Sequence, residues 1–379
     1  MQFRDLQKQY KELKSQVDDA IVRVCTQAHF IAGTEVHELE LELANYVGCK
    51  HCITCGNGTD ALTLALLTWG VGPGDAVFVP DFTFFSSGEC PAGVGATPIF
   101  VDVDPYTYNI DPVHLEKAIL QVKSEGALQP KVVVAVDLFG LPANYEEIRP
   151  LCDKYGLLLL EDGAQGFGGS IDGKKACSFG DISTTSFFPA KPLGCYGDGG
   201  AIFTDNDEWA ALIRSYAVHG KSGEDKYDNI RIGMNSRLDT IQAAILRIKL
   251  KALQNYELST VNQAAMWYNE KLDIAELILP RVPERMTSSW AQYTIQLPEH
   301  VNRNTLRESL KEYGIPTMIY YSKPMHQQGA FAGTRSSIAK CPVTERICRT
   351  VLSLPMHPYI TKAEVNQVVE ALNQHILNL

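Results

Sequence analysis

The sequence has no long apolar segment and no excess of positive charge. Its apolar runs stay well short of the ~20 residues that a membrane helix needs. Among its 379 residues, 34 are Lys or Arg and 44 are Asp or Glu, which gives a formal net charge of −10 at pH 7. A negative charge disfavours general binding to DNA, RNA or anionic membranes. We therefore expect a globular protein whose partners include neither nucleic acid nor a membrane.

The sequence also lacks a secretion signal and a complete metal-binding motif. The start, MQFRDLQKQYKELK, has no apolar signal-peptide core, so we expect a cytoplasmic location and reduced thiols. Cys49, Cys52 and Cys55 form a C-x-x-C-x-x-C run, but the fourth cysteine and the closing proline of an iron–sulfur motif are missing. The stretch HCITC also predicts a strand, which would send alternate cysteines to opposite faces. We expect no metal site.

Short apolar runs between residues 51 and about 205 predict the strands of one sheet. Helical stretches separate these runs, and two helices are predicted before the first of them. Runs that are apolar throughout are typical of strands covered on both faces, so we predict an α/β fold with a mainly parallel sheet between layers of helices. The predicted strands are HCITC, AVFVP, TPIFVDV, KVVVAVDLFG, GLLLLEDGA, ISTTSFF and GAIFTD.

The C-terminal third has a different pattern. DTIQAAILRIKLKAL predicts a helix that leads out of the first unit, and WAQYTIQLPEH, RNTLRESLKEYG and IPTMIYY predict strand, helix and strand. Thr361 and Glu364 predict a capping box at the start of the last helix. We therefore predict a large domain of residues 1–252, which includes the N-terminal helical segment, and a smaller α/β domain of residues 253–379.

A glycine-rich turn follows the first predicted strand. In GNGTDALTLALL, free N–H groups and the positive end of a helix beginning near Thr59 or Asp60 would meet, which favours phosphate binding. A purely structural turn is equally open, and the missing G-K-[ST] excludes a P-loop. The G-x-G-x-x-A pattern keeps a dinucleotide-binding fold open, although Asp75 and Asp81 are poorly placed as its acidic residue.

Two further residues have the chemistry of a cofactor site. Asp162 ends the apolar run LLLLED, where a buried carboxylate needs a cationic partner such as a protonated ring nitrogen, although it could also be a helix cap. Lys191 lies between Pro189 and Pro192 after two phenylalanines, and a desolvated lysine has a lowered pKa and can attack a carbonyl. An exposed loop lysine is the alternative. Together with the glycine turn, they occur in the order that a pyridoxal 5′-phosphate (PLP) enzyme requires.

Motifs along the whole chain resemble the DegT/DnrJ/EryC1/StrS family of PLP-dependent sugar aminotransferases. They are GNGTDAL, PDFTFFS, EDGAQGFG, SFFPAKPLGCYGDGGA, RIGMNSRLDTIQAAI, WAQYTI and YYSKPMH. The resemblance implies the aspartate-aminotransferase-like fold of PLP enzymes (fold type I), PLP as the cofactor, and a homodimer with shared active sites.

The resemblance also implies a role for each site residue. Lys191 would be the Schiff-base lysine, and Asp162 would pair with the pyridine nitrogen. The other implied cofactor contacts are Gly58, Thr59 and Ser186 at the phosphate, Phe84 stacked on the ring, Gln165 near the phenolic oxygen and Asn235 at the phosphate of the neighbouring subunit. From the sequence alone, Asn235 could equally be a turn residue.

Some residues bear on which reaction the resemblance implies. Phe167 replaces a histidine found in many relatives, and a lysine at position 191, where sugar dehydratases of the family have histidine, favours transamination. The motifs are most similar to the branch that aminates C3 of UDP-2-acetamido-3-keto-hexuronic acid, with L-glutamate as donor and 2-oxoglutarate as its product, for polysaccharide or glycan assembly. Candidate substrate-binding residues, each of which could instead be a surface or packing residue, are Arg231, Arg237, Tyr321 and His326.

Other functions stay open at this point. Within the family, the nearest alternative is a C4 aminotransferase of a 4-keto-6-deoxy nucleotide sugar. A nicotinamide-dependent dehydrogenase would use the glycine turn but leaves Lys191 unexplained. A non-catalytic regulatory protein on the same fold is also conceivable, because fold alone does not fix function.

Overall fold

The computed structural model of the protein describes residues 1–222 and 227–376. All seven predicted strands of the first unit are present and belong to one sheet. The strands of the described chain are β1 (His51–Cys55), β2 (Asp75–Pro80), β3 (Thr97–Val101), β4 (Gln129–Val136), β5 (Leu158–Asp162), β6 (Ser170–Ile171), β7 (Lys174–Lys175), β8 (Ile182–Ser186), β9 (Gly200–Thr204), β10 (Met286–Thr287), β11 (Tyr293–Gln296) and β12 (Val351–Leu354).

Helices flank the sheet and build most of the C-terminal third. A π-helical turn, Leu253–Glu257, joins the eighth and ninth helices into one continuous rod. The helices are α1 (Leu6–Gln27), α2 (Thr34–Val47), α3 (Gly58–Thr68), α4 (Ser86–Gly93), α5 (Pro112–Glu125), α6 (Tyr145–Tyr155), α7 (Asp207–Tyr216), α8 (Thr240–Ala252), α9 (Leu258–Lys271), α10 (Arg303–Glu312), α11 (Pro342–Thr350) and α12 (Lys362–Ile376). Short 3₁₀ turns cover Leu138–Gly140, Met325–Gln327, Gly329–Phe331 and Arg335–Ile338.

The central sheet has the order β1-β9-β8-β5-β4-β2-β3. Strands β3, β2, β4, β5 and β8 pair in parallel, whereas β9 is antiparallel to both β1 and β8. The mainly parallel sheet is therefore confirmed. Alternate residues of β4 point to different cores, since Val132 and Val134 belong to one hydrophobic cluster and Val133 to another. This two-sided burial explains why the runs are apolar throughout.

The C-terminal third has its own hydrophobic cluster, which we call the C-terminal core. It contains side chains of α9, α10 and α12 and of the antiparallel pair β11–β12. The strand predicted for IPTMIYY is wrong, because Met318 makes only an isolated bridge with Ser353. The predicted capping box is confirmed, since Thr361 and Glu364 exchange hydrogen bonds. The domain boundary at residues 252 and 253 stays a prediction.

The N-terminal helix α1 packs on α8 at the edge of the large unit. Val17 and Val24 are buried against α8, and Ile245 of α8 faces Val17. Within residues 1–222 and 227–376, none of the helices has both the length and the apolar character that crossing a membrane requires. The packing of α1 on α8 brings the N-terminal residues near the junction of the two cores.

Candidate active site

Three chain segments meet at the carboxyl edge of the central sheet. They are the end of β5 at Asp162, the end of β8 at Ser186 and the start of α3 at Gly58. A Cβ on Gly58 would lie only 2.8 Å from the Cβ of Ser186, so a side chain at position 58 would collide with β8. The glycine is therefore needed for the helix to begin directly against the strand end.

The start of α3 presents hydrogen-bond donors to this edge. The Asn57 side chain accepts a hydrogen bond from the N–H of Asp60 (2.8 Å), which caps the helix. The N–H groups of Gly58 and Thr59 lie in the first turn and have no acceptor within the helix. The hydroxyl of Thr59 lies 2.8 Å from that of Ser86. Backbone donors, hydroxyls and the helix dipole together fit a phosphate group.

Ser236 ties this turn to the MNSRLD motif. Its Oγ accepts a hydrogen bond from the N–H of Gly56 (2.9 Å) and donates one to Asp60 Oδ2 (2.6 Å). Its neighbours Asn235 and Arg237 are exposed, and Arg237 donates to Asn235 Oδ1 (2.7 Å). The predicted residue Asn235 therefore lies beside the glycine turn before α3 and faces outward, towards solvent in this single chain.

Asp162 is buried and held by two hydrogen bonds. Its Oδ2 accepts from the Ser87 hydroxyl (2.7 Å) and its Oδ1 from the N–H of Ala164 (3.2 Å). Ser87 in turn lies 3.0 Å from the hydroxyl of Thr83. Burial raises the pKa of Asp162, while the Ser87 bond and the Lys191 charge oppose that rise. A positive partner such as a pyridinium nitrogen would stabilise the ionised form further.

Lys191 lies in the turn that follows β8. Its N–H donates to the carbonyl of Phe188 (2.9 Å), and its carbonyl accepts from Arg4 Nη2 (2.8 Å). Burial lowers the pKa of its amine to about 8, although the negative charge of Asp162 acts in the opposite direction. At pH 7 about one-tenth of an amine with this pKa is neutral, and the neutral form is the one that attacks a carbonyl.

Gln165, Tyr321 and Phe84 form a polar and aromatic group next to Asp162. Gln165 accepts from the N–H of Phe139 (2.7 Å) and donates to the Tyr321 hydroxyl (3.2 Å). The rings of Phe84 and Tyr321 are 6.4 Å apart, and Phe84 is 55% exposed. An exposed ring at this position is free to stack on a planar ligand.

Two of the predicted substrate-binding residues are engaged within the protein. Arg231 donates to the Ser215 hydroxyl and lies 5.6 Å above the Tyr216 ring. His326 is buried, with its Nδ1 2.6 Å from Asp81 Oδ2, and this hydrogen bond raises its pKa. Arg237 is exposed, whereas Tyr321 is half-buried and accepts the hydrogen bond from Gln165.

Asp81, His326 and Cys341 are the potential metal-ligand cluster among the described residues. Their ligand atoms all lie within 4.8 Å of one another. The backbone N–H of His326 also donates to Asp81 Oδ1 (2.8 Å), so hydrogen bonds already account for this arrangement. The prediction of no metal site stays a prediction.

A sizeable cavity lies away from the sheet edge described above, so the presence of a cavity alone does not identify the candidate site. It measures about 560 Å³ and lies between α5 and the Arg335–Ile338 turn, with His114, Lys117 and Lys340 in its wall. Its wall includes none of the residues described around Lys191. The side-chain chemistry at the sheet edge therefore identifies the candidate site.

Sequence reasoning missed three residues of this site. Ser87 directly follows the matched motif PDFTFFS, and Ser236 lies inside MNSRLD, so their positions in the motifs were available signals. Arg4 contacts a residue 187 positions away and has no local signature. The residues present fit PLP, since they offer a phosphate-binding turn, a buried acid for the ring nitrogen and a partly neutral lysine amine.

Comparison with known proteins agrees with this geometry. The model of the DegT/DnrJ/EryC1/StrS aminotransferase family matches residues 11–373. A Pseudomonas aeruginosa protein named UDP-2-acetamido-2-deoxy-3-oxo-D-glucuronate aminotransferase is 43% identical over 98% of this chain and 99% of its own length. A Geobacillus stearothermophilus protein named pleiotropic regulatory protein is 39% identical over 97% of this chain and 96% of its own.

A solved structure gives the same result for the fold. The crystal structure of a DegT DnrJ EryC1 StrS aminotransferase from Brucella abortus superposes with a TM-score of 0.95 at 46% identity, covering 99% of both chains. The predicted PLP-enzyme fold is confirmed. The chain belongs to the DegT/DnrJ/EryC1/StrS aminotransferase family, and its cofactor is pyridoxal 5′-phosphate.

Proposed function

We propose that this aminotransferase transfers an amino group from L-glutamate to C3 of UDP-2-acetamido-3-keto-hexuronic acid. The products would be 2-oxoglutarate and a UDP-linked amino sugar for surface polysaccharide or glycan assembly. The main support is that the Lys191 amine and the buried Asp162 carboxylate, whose negative charge acts on the pKa of the amine, lie at the edge of the sheet where α3 begins, in a chain that matches the Pseudomonas aeruginosa relative over 98% of its length.

The residues at the sheet edge would hold the cofactor. Gly58, Thr59 and Ser186 would bind its phosphate, and Asp162 would keep its ring nitrogen protonated. Phe84 would pack on the ring, with Gln165 near the phenolic oxygen. Once bound, PLP supplies an electron sink that stabilises negative charge on the carbon next to the transferred nitrogen.

Lys191 would move the protons of both half-reactions. Because burial lowers its pKa to about 8, part of its amine is neutral near neutral pH and can accept the proton from Cα of L-glutamate. In the first half-reaction the amine would pass this proton on to C4′ of the cofactor, and in the second it would take a proton from C4′ and deliver it to C3 of the sugar. One group would then act as base and as acid within each half-reaction.

The carboxylate and pyrophosphate of the substrate require hydrogen-bond donors, which an arginine combines with a positive charge. We propose Arg237 and Tyr321 as the first contacts, since Arg237 is exposed beside the phosphate-binding turn and Tyr321 lies beside Gln165. Arg231 stays a candidate if it exchanges its bond to Ser215 for the ligand. His326, which is bonded to Asp81, is the weakest of the four candidates.

We further propose a homodimer with shared active sites. Apolar side chains are exposed around the MNSRLD motif, where Ile230 is 55% and Ile232 is 93% exposed. Phe30 and Ile31 add to this surface, because Thr240 donates to the Phe30 carbonyl and Ile31 pairs with Asp239. A surface of this kind suits a second copy of the chain, which would bring Asn235 to the neighbouring phosphate.

We also propose a cytoplasmic location. The ten cysteines are free thiols, and Cys52 and Cys55 point into different cores, as their spacing in a strand predicts. Reduced thiols suit a reducing compartment.

Family membership excludes the dinucleotide-dependent dehydrogenase considered from the sequence.

Product analysis with a panel of UDP- and dTDP-linked ketosugars tests the substrate assignment. We expect a mass change from keto to amino group with the UDP 3-keto-hexuronate, in the presence of PLP and L-glutamate. Turnover only with a 4-keto-6-deoxy sugar would favour C4 amination instead. Binding without turnover of any sugar would favour a regulatory role, which one relative's name suggests.

A further inference from the structure

The residues before α1 connect the two cores next to Lys191. We call residues 1–5 the N-terminal strap. Met1 packs against the C-terminal core, and the carbonyl of Phe3 accepts a hydrogen bond from the N–H of Met356 (3.1 Å). Asp5 caps α1 by accepting from the N–H of Lys8 (2.8 Å). The strap is therefore held at both ends, which fixes the position of Arg4 between them.

Arg4 contacts the backbone of Lys191. Its Nη2 donates to the Lys191 carbonyl at 2.8 Å, and a charged donor makes a stronger hydrogen bond than a neutral one. The N–H of Lys191 is bonded to the Phe188 carbonyl, so both backbone groups of the lysine are held. The next residue, Pro192, restricts the backbone further. The side chain that carries the Lys191 amine is therefore attached to a fixed backbone.

The charges around this contact are few and come from several elements. Lys191 faces the positive charge of Arg4 and the negative charge of Asp162. Arg4 itself faces Glu257 of the π-helical turn and Tyr320, and its positive charge also acts on Lys249 and His357. Burial lowers the pKa of Arg4 to about 10, so it stays charged at neutral pH.

Glu257 already has other hydrogen-bond partners. Its Oε1 accepts from Gln9 Nε2 (2.8 Å) and from the Tyr359 hydroxyl (2.6 Å). The hydrogen bond from Arg4 to the Lys191 carbonyl thus places a positive charge beside the lysine turn. A positive neighbour disfavours the protonated amine.

We propose that Arg4 is a positioning residue for Lys191 that fixes the backbone of the lysine turn through the hydrogen bond to the Lys191 carbonyl. Its positive charge, held beside the amine by the same contact, disfavours the protonated form of the amine. This role rests on the proposed function of Lys191 as the proton-transferring group. Arg4 reaches no reacting atom and acts only through the lysine.

The first test uses the cofactor-free protein. Lys191 acetylation by acetic anhydride would be followed by mass spectrometry across pH 6–11, because only the neutral amine reacts. For Arg4→Gln we expect the midpoint pH of Lys191 acetylation to rise by roughly one unit, since the amine loses a positive neighbour. Arg23→Gln, an exposed arginine on α1, is the matched control and should keep the wild-type midpoint. Equal midpoints in both variants would overturn the electrostatic role.

The second test uses the PLP-loaded enzyme. Arg4→Gln should lower kcat roughly tenfold and leave KM for L-glutamate unchanged. The apparent pKa of the limb of the kcat profile that reports Lys191 should move by the same amount as the acetylation midpoint. If Arg4→Gln does not fold, Arg4→Lys decides: we expect a wild-type midpoint with reduced kcat, because the charge is kept and the fork geometry lost. A wild-type kcat in Arg4→Lys would then overturn the positioning role.

The outcome also separates this role from the proposed function. A shifted midpoint in a protein that turns over no ketosugar would refute the substrate assignment and support Arg4. If the wild-type enzyme is active and Arg4→Gln has the same Lys191 acetylation midpoint as wild type, only the role of Arg4 is refuted.

Discussion

The turn around Lys191 and the middle of α8 each hold a lysine with the same lowered pKa. Burial brings the pKa of both Lys191 and Lys249 to about 8. Lys249 is only 1% exposed, and its ammonium lies 5.1 Å from the centre of the Tyr196 ring. Lys191 is partly exposed at the edge of the sheet. The two amines thus have the same pKa but differ in how far solvent or a ligand can reach them.

Their carboxylate neighbours differ as well. Lys249 faces Glu257, which is already bonded to Gln9 and Tyr359 inside the protein. Lys191 faces Asp162, which has a hydroxyl and one N–H as partners and stands at the carboxyl end of a parallel strand. A shifted pKa marks a buried amine, and only its surroundings distinguish a reactive group from a structural one.

The largest expected difference is in turnover. Lys191→Ala should lower kcat by at least about 10³-fold, because the proposed proton-transferring group is lost. Lys249→Met keeps a similar volume and should stay within about threefold of wild type. Steady-state rates with circular dichroism as the folding control would check both. Wild-type turnover in Lys191→Ala, or an equal loss in Lys249→Met, would remove the distinction.

The next difference concerns the adjacent acids of β5. Asp162→Asn should slow the half-reaction with L-glutamate by roughly 10²-fold, because a neutral amide cannot keep a ring nitrogen protonated. Glu161 points the other way and accepts hydrogen bonds from the N–H groups of Cys177 and Phe179 and from the Ser183 hydroxyl. Glu161→Gln should therefore lower the free energy of unfolding by about 2 kcal/mol and change kcat little.

Single-turnover spectroscopy and urea unfolding measure these two effects. A stable Asp162→Asn enzyme with wild-type half-reaction kinetics would contradict the role of Asp162. Loss of activity in folded Glu161→Gln would mean that both acids serve the chemistry.

The sequence predicted the parts of the fold that depend on local patterns. The apolar runs identified the central strands because two-sided burial leaves little choice of residue in β4 and β5. The direction of β9 was not predictable, since pairing with β1 depends on contacts about 150 residues apart. IPTMIYY has strand-like composition, but the chain there turns to place Tyr321 beside Gln165.

The candidate site shows the same division. Asp162 and Lys191 stand out in the sequence because each interrupts an apolar or constrained stretch with a charge. Lys249 does not, because a lysine at that point of an amphipathic helix predicts a solvated side chain. Its burial results from the packing of Tyr196 over α8, which only tertiary structure shows.

A smaller effect should follow from loss of the Ser87 hydroxyl. The Ser87 bond opposes the rise in the pKa of Asp162 that burial causes, so Ser87→Ala should raise this pKa further. Asp162 would then be protonated at a higher pH, and the acid limb of the kcat profile should move up by roughly half a unit to one unit. Ser124→Ala, on the exposed face of α5, is the matched control. An unmoved acid limb would show that Ser87 does not tune Asp162.

The smallest expected effect tests Lys249 through stability. Its pKa is about 8 in the folded protein, whereas an ordinary lysine has a pKa of 10.5, so the unfolded chain binds more protons between these two pH values. Stability contributed by Lys249 should therefore rise with pH from about 8 to about 10.5, with a slope of up to ~1.4 kcal/mol per pH unit.

Lys249→Met should remove this rise relative to wild type, whereas Lys251→Met, an exposed neighbour on α8, should keep it. Urea unfolding of the three proteins at pH 7, 8, 9 and 10 gives the comparison, because other titrating groups cancel between them. If Lys249→Met paralleled wild type, Lys249 would not have the lowered pKa that makes it comparable with Lys191. If the slope is lost while turnover persists, two lysines of equal acidity differ in function only through access and neighbours.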